Sequence, residues 1–222
     1  MTFGNVVADS VQSLDHVYWI AGGPCGGKTT LVRRLACEFG LKIFEPDFDR
    51  YQALADPDRY PTMQEPGPTT DWNWFFSRSP DSYSDWLIRS ADEQLDFVVN
   101  DLRAREAKEP LLVDISASPA KLAGLASANR LVFLFAEEQL IRREALQRED
   151  HAEILECIRS NTDDPAATQH NVEDALTLCS EKLHGMADAT GLPVWLRRDA
   201  STQHSVIGFA QAALNLPASP QT

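Results

Sequence analysis

The stretch that most limits what this chain can become is Gly22-Gly23-Pro24-Cys25-Gly26-Gly27-Lys28-Thr29, a G-x-x-x-x-G-K-[ST] loop. An apolar run, Val17 to Ala21, precedes it, and Thr30-Leu31-Val32-Arg33-Arg34-Leu35 follows. Strand, glycine loop and helix therefore come in the order that a phosphate cradle needs. Glycines at 22, 23, 26 and 27 let the backbone turn sharply and aim successive N–H groups inward, and the next helix adds the positive end of its dipole. The concavity fits a triphosphate, with Gly22 through Thr30, Pro24 and Cys25 included, as its wall. Lys28 would reach the β- and γ-phosphate oxygens, and Thr29 would offer its hydroxyl to Mg²⁺.

The rest of the chain sets that loop in an α/β frame. Apolar runs predict strands at 17–21, 41–45, 110–115, 130–135 and 193–197, with a helix at 28–39 and further helices between the later strands. Such alternation implies a parallel sheet covered on both faces, with ligands bound beyond the carboxyl ends of the strands. Residues 56–78 hold four prolines and many aromatics and read as a structured insertion. Ser79-Pro80 caps a long helix to about 106, and Ser118-Pro119 repeats that signal. Helices are expected at 137–147, 149–160, 171–189 and 203–214, with a tail that frays from 217. A length of 222 residues suits one domain spanning 1–216.

Charge narrows the class of partner. Thirty-three acidic against 20 basic residues give a formal charge of −13, which repels nucleic-acid backbones and acidic membrane surfaces, so a small ligand is favoured over a polymer. No leader or membrane span is expected. Cysteines at 25, 37, 157 and 179 lack any C-x-x-C pairing and fit reduced thiols in the cytoplasm.

Carboxylates and arginines supply the remaining candidates. Asp47 and Asp49, two residues apart after the second strand, point the same way if extended. One could then hold a water of the Mg²⁺ shell while the other orients an acceptor hydroxyl; a solvated, Asp-capped turn is the alternative. Leu111-Leu112-Val113-Asp114 is an apolar strand ending in an acid, placed to accept from Mg²⁺-bound water or from Thr29. Arg142, Arg143 and Arg148 follow the fourth strand. They suit either phosphate contacts or the i,i+4 pairs Glu138/Arg142 and Glu144/Arg148 on a solvated face. His151 reads as a surface or capping residue, or as a contact of the same segment. Trp72, Trp74, Phe75, Phe76, Tyr83 and Trp86 could line a site for a ring-bearing acceptor or pack a subdomain. Arg50, Arg59, Arg78 and Arg89 lie near them in sequence.

On the glycine loop and the Asp47-Phe48-Asp49 pair, the chain resembles the P-loop small-molecule kinases, the group that includes shikimate, gluconate and nucleoside monophosphate kinases. That resemblance implies a three-layer P-loop NTPase fold with a five-stranded parallel sheet, an acceptor-site insertion at about 50–105 and a lid at about 137–160. It implies ATP and Mg²⁺ as cofactors, Asp47 near Mg²⁺ and Asp49 on the acceptor hydroxyl. It also implies lid arginines 142, 143 and 148 over the transferring phosphate, and a loop beside the adenine after the last strand with stacking by Arg198. Shikimate-type members have glycines where Asp114 stands, so the resemblance to that subfamily is incomplete. An N-K-x-D guanine reader, an L-S-G-G-Q signature and a glutamate after Asp114 are all missing, which disfavours GTPase, ABC and AAA+ readings. The expectation is a phosphotransferase moving the ATP γ-phosphoryl to a hydroxyl or phosphate of a small molecule. The other reading is a nucleotide-binding regulatory or resistance protein with slow hydrolysis.

Overall fold

The computed structural model describes residues 13–67, 69–106, 109–147 and 151–216. Val17–Gly22 forms β1, Lys28–Phe39 α1, Lys42–Phe44 β2, Phe48–Leu54 α2, Trp72–Phe76 α3, Pro80–Ala104 α4 and Leu111–Ile115 β3. Pro119–Leu125 forms α5, Leu131–Ala136 β4, Glu138–Glu144 α6, Ala152–Asn161 α7, Pro165–Asp188 α8, Val194–Arg197 β5 and Gln203–Ala213 α9. The strands make one sheet in the order β2-β3-β1-β4-β5, and every pairing is parallel.

Alternation along the strands divides the core into two layers. Val17, Trp19 and Ala21 of β1, with Leu111, Val113 and Ile115 of β3 and Phe133 and Phe135 of β4, pack toward Leu95, Val98 and Leu102 of α4 and Leu183 of α8. Tyr18 and Ile20, with Leu112, Val132 and Leu134, pack the other way, onto Leu31, Val32 and Leu35 of α1 and Ala210 of α9. Both faces of β1 and β4 are buried along their whole length, which is why these segments read as unbroken apolar runs instead of an in/out alternation. The result is the three-layer α/β arrangement with a five-stranded parallel sheet. Burying a Leu, Ile or Phe side chain in such a layer contributes about 1.5–3 kcal/mol.

The connections put a switch point beside β1. From β1 the chain passes through α1 to β2 at one edge and returns through α4 to β3; it then crosses to β4 and β5 on the far side. Loops after β1 and β4 therefore diverge, and a crevice opens at the carboxyl end of β1. The glycine loop fills that position.

Two sequence expectations need correction. Residues 47–49 are not extended: β2 ends at Phe44, Asp47 is the N-cap of α2 with its Oδ1 accepting from the Arg50 N–H at 3.0 Å, and Asp49 lies in the first helical turn. The capping bond and the i→i+4 ladder outweigh any tendency of Phe44 to Asp49 to continue as strand. The helix expected from 171 starts at Pro165, with Asp164 as N-cap accepting from the Ala167 N–H at 3.0 Å. That Asp-Pro start is the same signal as Ser79-Pro80, where Ser79 accepts from Ser82 N–H at 3.2 Å. The helix expected over 149–160 appears as α7, and residues 148–150 and 217–222 lie outside the described residues. Among the described residues no helix is long and apolar enough to cross a membrane.

Candidate functional site

The glycine loop is pinned against β4 from below. Gly23 N–H donates to the Leu134 carbonyl at 3.0 Å. A Cβ on Gly22, whose φ is +130°, would stand 1.9 Å from that same oxygen, and one on Gly26 would stand 2.4 Å from it. The loop backbone thus lies directly on the sheet, and glycine is the residue that permits the approach. Gly27, at φ 93°, turns the chain into α1. Cys25 is the one described non-glycine residue with positive φ, at 56°, and it is buried among Ala136, Leu140, Ile141 and Ala145.

Lys28 Nζ donates to the Gly23 carbonyl at 2.8 Å, so its ammonium is folded over the mouth of the loop. Thr29 sits in the first turn of α1. Asp114 shares the β3 face of Leu112, the face turned toward α1, and its Oδ2 accepts from Thr29 Oγ1 at 2.6 Å. A hydroxyl and a carboxylate, hard oxygen donors from two elements, are thereby brought together at the carboxyl end of the central strands. Among the described residues no group of three or more His, Cys, Asp or Glu forms a metal cage. Mg²⁺ needs none, since it takes one or two protein oxygens and completes its shell with phosphate oxygens and water. The donor set at Thr29 and Asp114 fits that ion.

From the loop a cavity of about 1000 Å³ extends to both sides. On the β2–β3 side it is walled by α4, whose Trp86, Leu87, Ser90, Ala91 and Gln94 recur at helical spacing on one face, together with Pro46, Phe48, Ile115 and Ser116. Asp92 fixes this wall, accepting from the Ser118 N–H at 2.7 Å and from Ser118 Oγ at 2.6 Å, so that the loop after β3 is tied to α4. On the β5 side the lining comes from Trp195, Arg197, Ser201, Thr202, Gln203 and Val206.

Arg197 is the described arginine that reaches this cavity. Its Nη1 donates to the Cys25 carbonyl at 2.9 Å and to Glu144 Oε2 at 2.8 Å, and its Nη2 donates to Glu144 Oε1 at 3.2 Å. One guanidinium therefore joins the end of β5, the end of α6 and the phosphate loop. Burial pushes the Glu144 carboxyl up, but hydrogen bonds from Arg197 and Arg143 outweigh it and hold the group below the usual carboxylate range. Cys179 also lines the cavity, and burial pushes its thiol up to about 12, so it is a neutral wall residue.

Several residues singled out in the sequence stand elsewhere. Neither Asp47 nor Asp49 lines the cavity; Phe48, between them, does, and it leaves 44% of its surface exposed at the mouth. Arg142 pairs with Glu138 at 2.7 Å and Asp174 at 2.5 Å, and Arg143 pairs with Asp199 at 2.7 Å and Glu144 at 3.0 Å. Both arginines are on the outer face, the solvated alternative, because α6 turns its Leu140 and Ile141 inward onto Cys25. Arg148 lies outside the described residues. Arg198 points away and pairs with Glu137 at 3.2 Å. A strand alternates its side chains, so one of two neighbouring arginines at the end of β5 must face out; the register Ala136↔Arg197 leaves Arg198 beyond the sheet. His151 lines the cavity, and its Nδ1 meets the Ala145 carbonyl.

Most of the aromatic cluster serves packing. Phe75, Phe76 and Tyr83 are buried with Leu146, Ile158 and Val172, and the Arg78 guanidinium lies 4.1 Å from the Phe75 ring centre. Trp86 alone of the group also faces the cavity. Arg50 pairs with Asp101 and Asp47, and Arg78 with Glu65. None of arginines 50, 59, 78 and 89 lines the cavity.

No protein-family model and no curated protein matches the chain. Among solved structures it is similar to shikimate kinase from Acinetobacter baumannii in complex with shikimate, at 15% identity and a TM-score of 0.46 over 88% of this chain and 89% of that one. It is similar to a NadR protein in complex with NAD and AMP-PNP, at 15% identity and a TM-score of 0.36 over 94% of this chain and 52% of that one. A third likeness is to an unliganded sugar kinase from a Janibacter species, at 19% identity and a TM-score of 0.32 over 79% and 98%. Likenesses this distant carry no inference about ligand or activity.

Proposed function

We propose that this chain is an ATP- and Mg²⁺-dependent phosphotransferase that moves the γ-phosphoryl to a hydroxyl or phosphate of a small molecule. The observation that carries the reading is the continuity of one cavity across the glycine loop: a wall on the β5 side, the Lys28 and Thr29–Asp114 cluster at the centre, and a second wall on α4. A hydrolase needs room for a nucleotide and a water; a two-sided cavity accommodates a second substrate in line with the phosphate.

In this reading the nucleoside occupies the β5 side, where Trp195 and Val206 offer apolar contact and Gln203 offers hydrogen bonds. The loop N–H groups and Lys28 hold the phosphates; Lys28 exchanges the Gly23 carbonyl for phosphate oxygens. Thr29 and Asp114 would hold Mg²⁺, which would supply charge neutralisation as the phosphoryl group transfers. Arg197 takes the part that the lid arginines were expected to play, since it alone of the described arginines stands beside the loop. Guanidinium donors fixed by a carboxylate are pre-organised for charge that spreads over phosphoryl oxygens. Asp47 and Asp49 act only if α2 turns inward when an acceptor binds, as do Arg142 and Arg143 if α6 rearranges.

That geometry also supports a second reading, a nucleotide-binding regulatory protein with slow hydrolysis. The turning of Asp47 and Asp49 away from the cavity removes the carboxylate pair that an acceptor-activating enzyme would use. Mg²⁺·ATP-dependent ADP release, measured with and without nucleosides, sugars, polyol acids and aminoglycoside-like compounds, separates the two. Stimulation by an acceptor that Lys28→Ala abolishes supports transfer. ATP binding with no stimulation by any acceptor refutes it.

A further inference from the structure

The α4 side of the cavity is chemically unlike its centre. The charged side chains among the described lining residues are Lys28, Asp114, Glu144 and Arg197, with His151 when protonated. The loop, the end of β3, the end of α6, the end of β5 and the start of α7 supply them. Neither α4 nor the segment after β2 contributes one. Their lining side chains are the rings of Phe48 and Trp86, the aliphatic Pro46, Leu87 and Ala91, and the neutral polar groups Ser90 and Gln94, with Ser116 nearby from the loop after β3. The four arginines of this region that could have faced inward are held by other partners or stand outside the lining, and the two cations at the centre are committed. Lys28 serves the loop, and Arg197 is bound to Glu144 and the Cys25 carbonyl.

We infer that the acceptor is an uncharged, hydroxyl-bearing molecule with an apolar or aromatic body, and that carboxylate- or phosphate-bearing acceptors are excluded. This rests on the phosphotransferase reading above. Among the described residues an anionic group on the α4 wall meets no cation, while the phosphates of the nucleotide repel it. With Mg²⁺·ATP bound, the nucleotide, the ion and the four charged lining residues Lys28, Asp114, Glu144 and Arg197 are together net negative, and at an effective dielectric of about 20 a carboxylate about 8 Å from one uncompensated negative charge loses roughly thirtyfold in affinity. An aromatic ring, by contrast, finds Trp86 and Phe48, and hydroxyls find Ser90, Gln94 and Ser116. Phe48 is exposed at the mouth, as expected of an apolar surface that a ligand covers.

The test is ADP release from Mg²⁺·ATP by the full chain, with matched probes: 1-phenyl-1,2-ethanediol against mandelate, which replaces its terminal carbinol by a carboxylate, and methyl glucoside against gluconate. Neutral probes are expected to exceed their anionic counterparts by about thirtyfold in kcat/KM, with the aromatic diol ahead of the glucoside. Gln94→Lys, which places a cation on the α4 wall, is expected to shrink or invert that gap. Lys28-dependent stimulation in which mandelate or gluconate equals its neutral partner overturns the inference and leaves phosphotransfer standing. A gap that Gln94→Lys does not change overturns the placement of the acceptor on α4. ATP turnover that no probe of either kind stimulates overturns the inference together with the phosphotransferase reading.

Discussion

Replacing Arg197 by alanine removes three hydrogen bonds that join β5, α6 and the phosphate loop. Arg197 and Glu144 keep 33% and 30% of their side-chain surface, so the pair is neither a surface ion pair nor a fully buried one. Two unit charges about 4 Å apart at an effective dielectric of about 20 attract by about 4 kcal/mol, and partial desolvation offsets about half of that. The net coupling is then about 2 kcal/mol, to which the neutral bond to the Cys25 carbonyl adds about 1 kcal/mol. For a chain of this size, about 3 kcal/mol lowers Tm by roughly 6 to 12 °C. A double-mutant cycle with Glu144→Gln, followed by denaturant unfolding, isolates the coupling. The pH dependence has a definite sign. The Glu144 carboxyl is lowered from its ordinary value of 4.5, so its contribution is complete above that value and disappears as pH falls through the lowered one. The stability gap between wild type and Glu144→Gln should be full near neutrality and vanish in strong acid. A coupling under about 0.5 kcal/mol, in the range of exposed surface pairs, with ATP affinity unchanged in Arg197→Ala, would refute the claim that this residue organises the loop.

Two further substitutions probe the site from other directions. Gly26→Ala drives a Cβ to 2.4 Å from the backbone oxygen of Leu134, a clash that must displace the loop; overpacking of this kind costs about 1–3 kcal/mol. Titration calorimetry should show at least tenfold weaker ATP binding by a protein whose circular dichroism is unchanged. Asp47→Ala removes the cap of α2 and should cost about 1 kcal/mol, while Asp47→Ser, which can still cap, should restore both Tm and turnover; a serine variant that is stable but inactive would return Asp47 to the chemistry.

The sheet was legible because buried parallel strands leave unbroken apolar runs, and the loop because glycine spacing and its flanking elements constrain each other. Asp114 stood out as the acid that ends an apolar strand, and its alternation along β3 turns it toward α1 and Thr29. What the sequence hid depends on contacts between distant segments. The Asp47-Phe48-Asp49 choice is instead local: the sequence allowed both an extended pair and an Asp-capped turn, and Asp47 capping the Arg50 N–H decides it. The pair Arg197 and Arg198 differ only in which side of β5 they occupy, a matter of register with β4. Arg142 and Arg143 were lost to the outside because α6 spends its inner face on Cys25. The wall of α4 was readable in principle, since residues 86, 87, 90, 91 and 94 form a stripe of mixed apolar and neutral polar character, but only the tertiary fold shows that this stripe ends at the loop.

The most direct test of phosphotransfer is ³¹P NMR of the full chain with Mg²⁺·ATP and an acceptor that raises ADP release. A new phosphomonoester resonance growing as the γ-phosphate signal declines, and absent with Lys28→Ala, is the predicted result. Inorganic phosphate as the sole product, even while the acceptor raises ADP release, would contradict it and leave a nucleotide-binding protein that hydrolyses ATP.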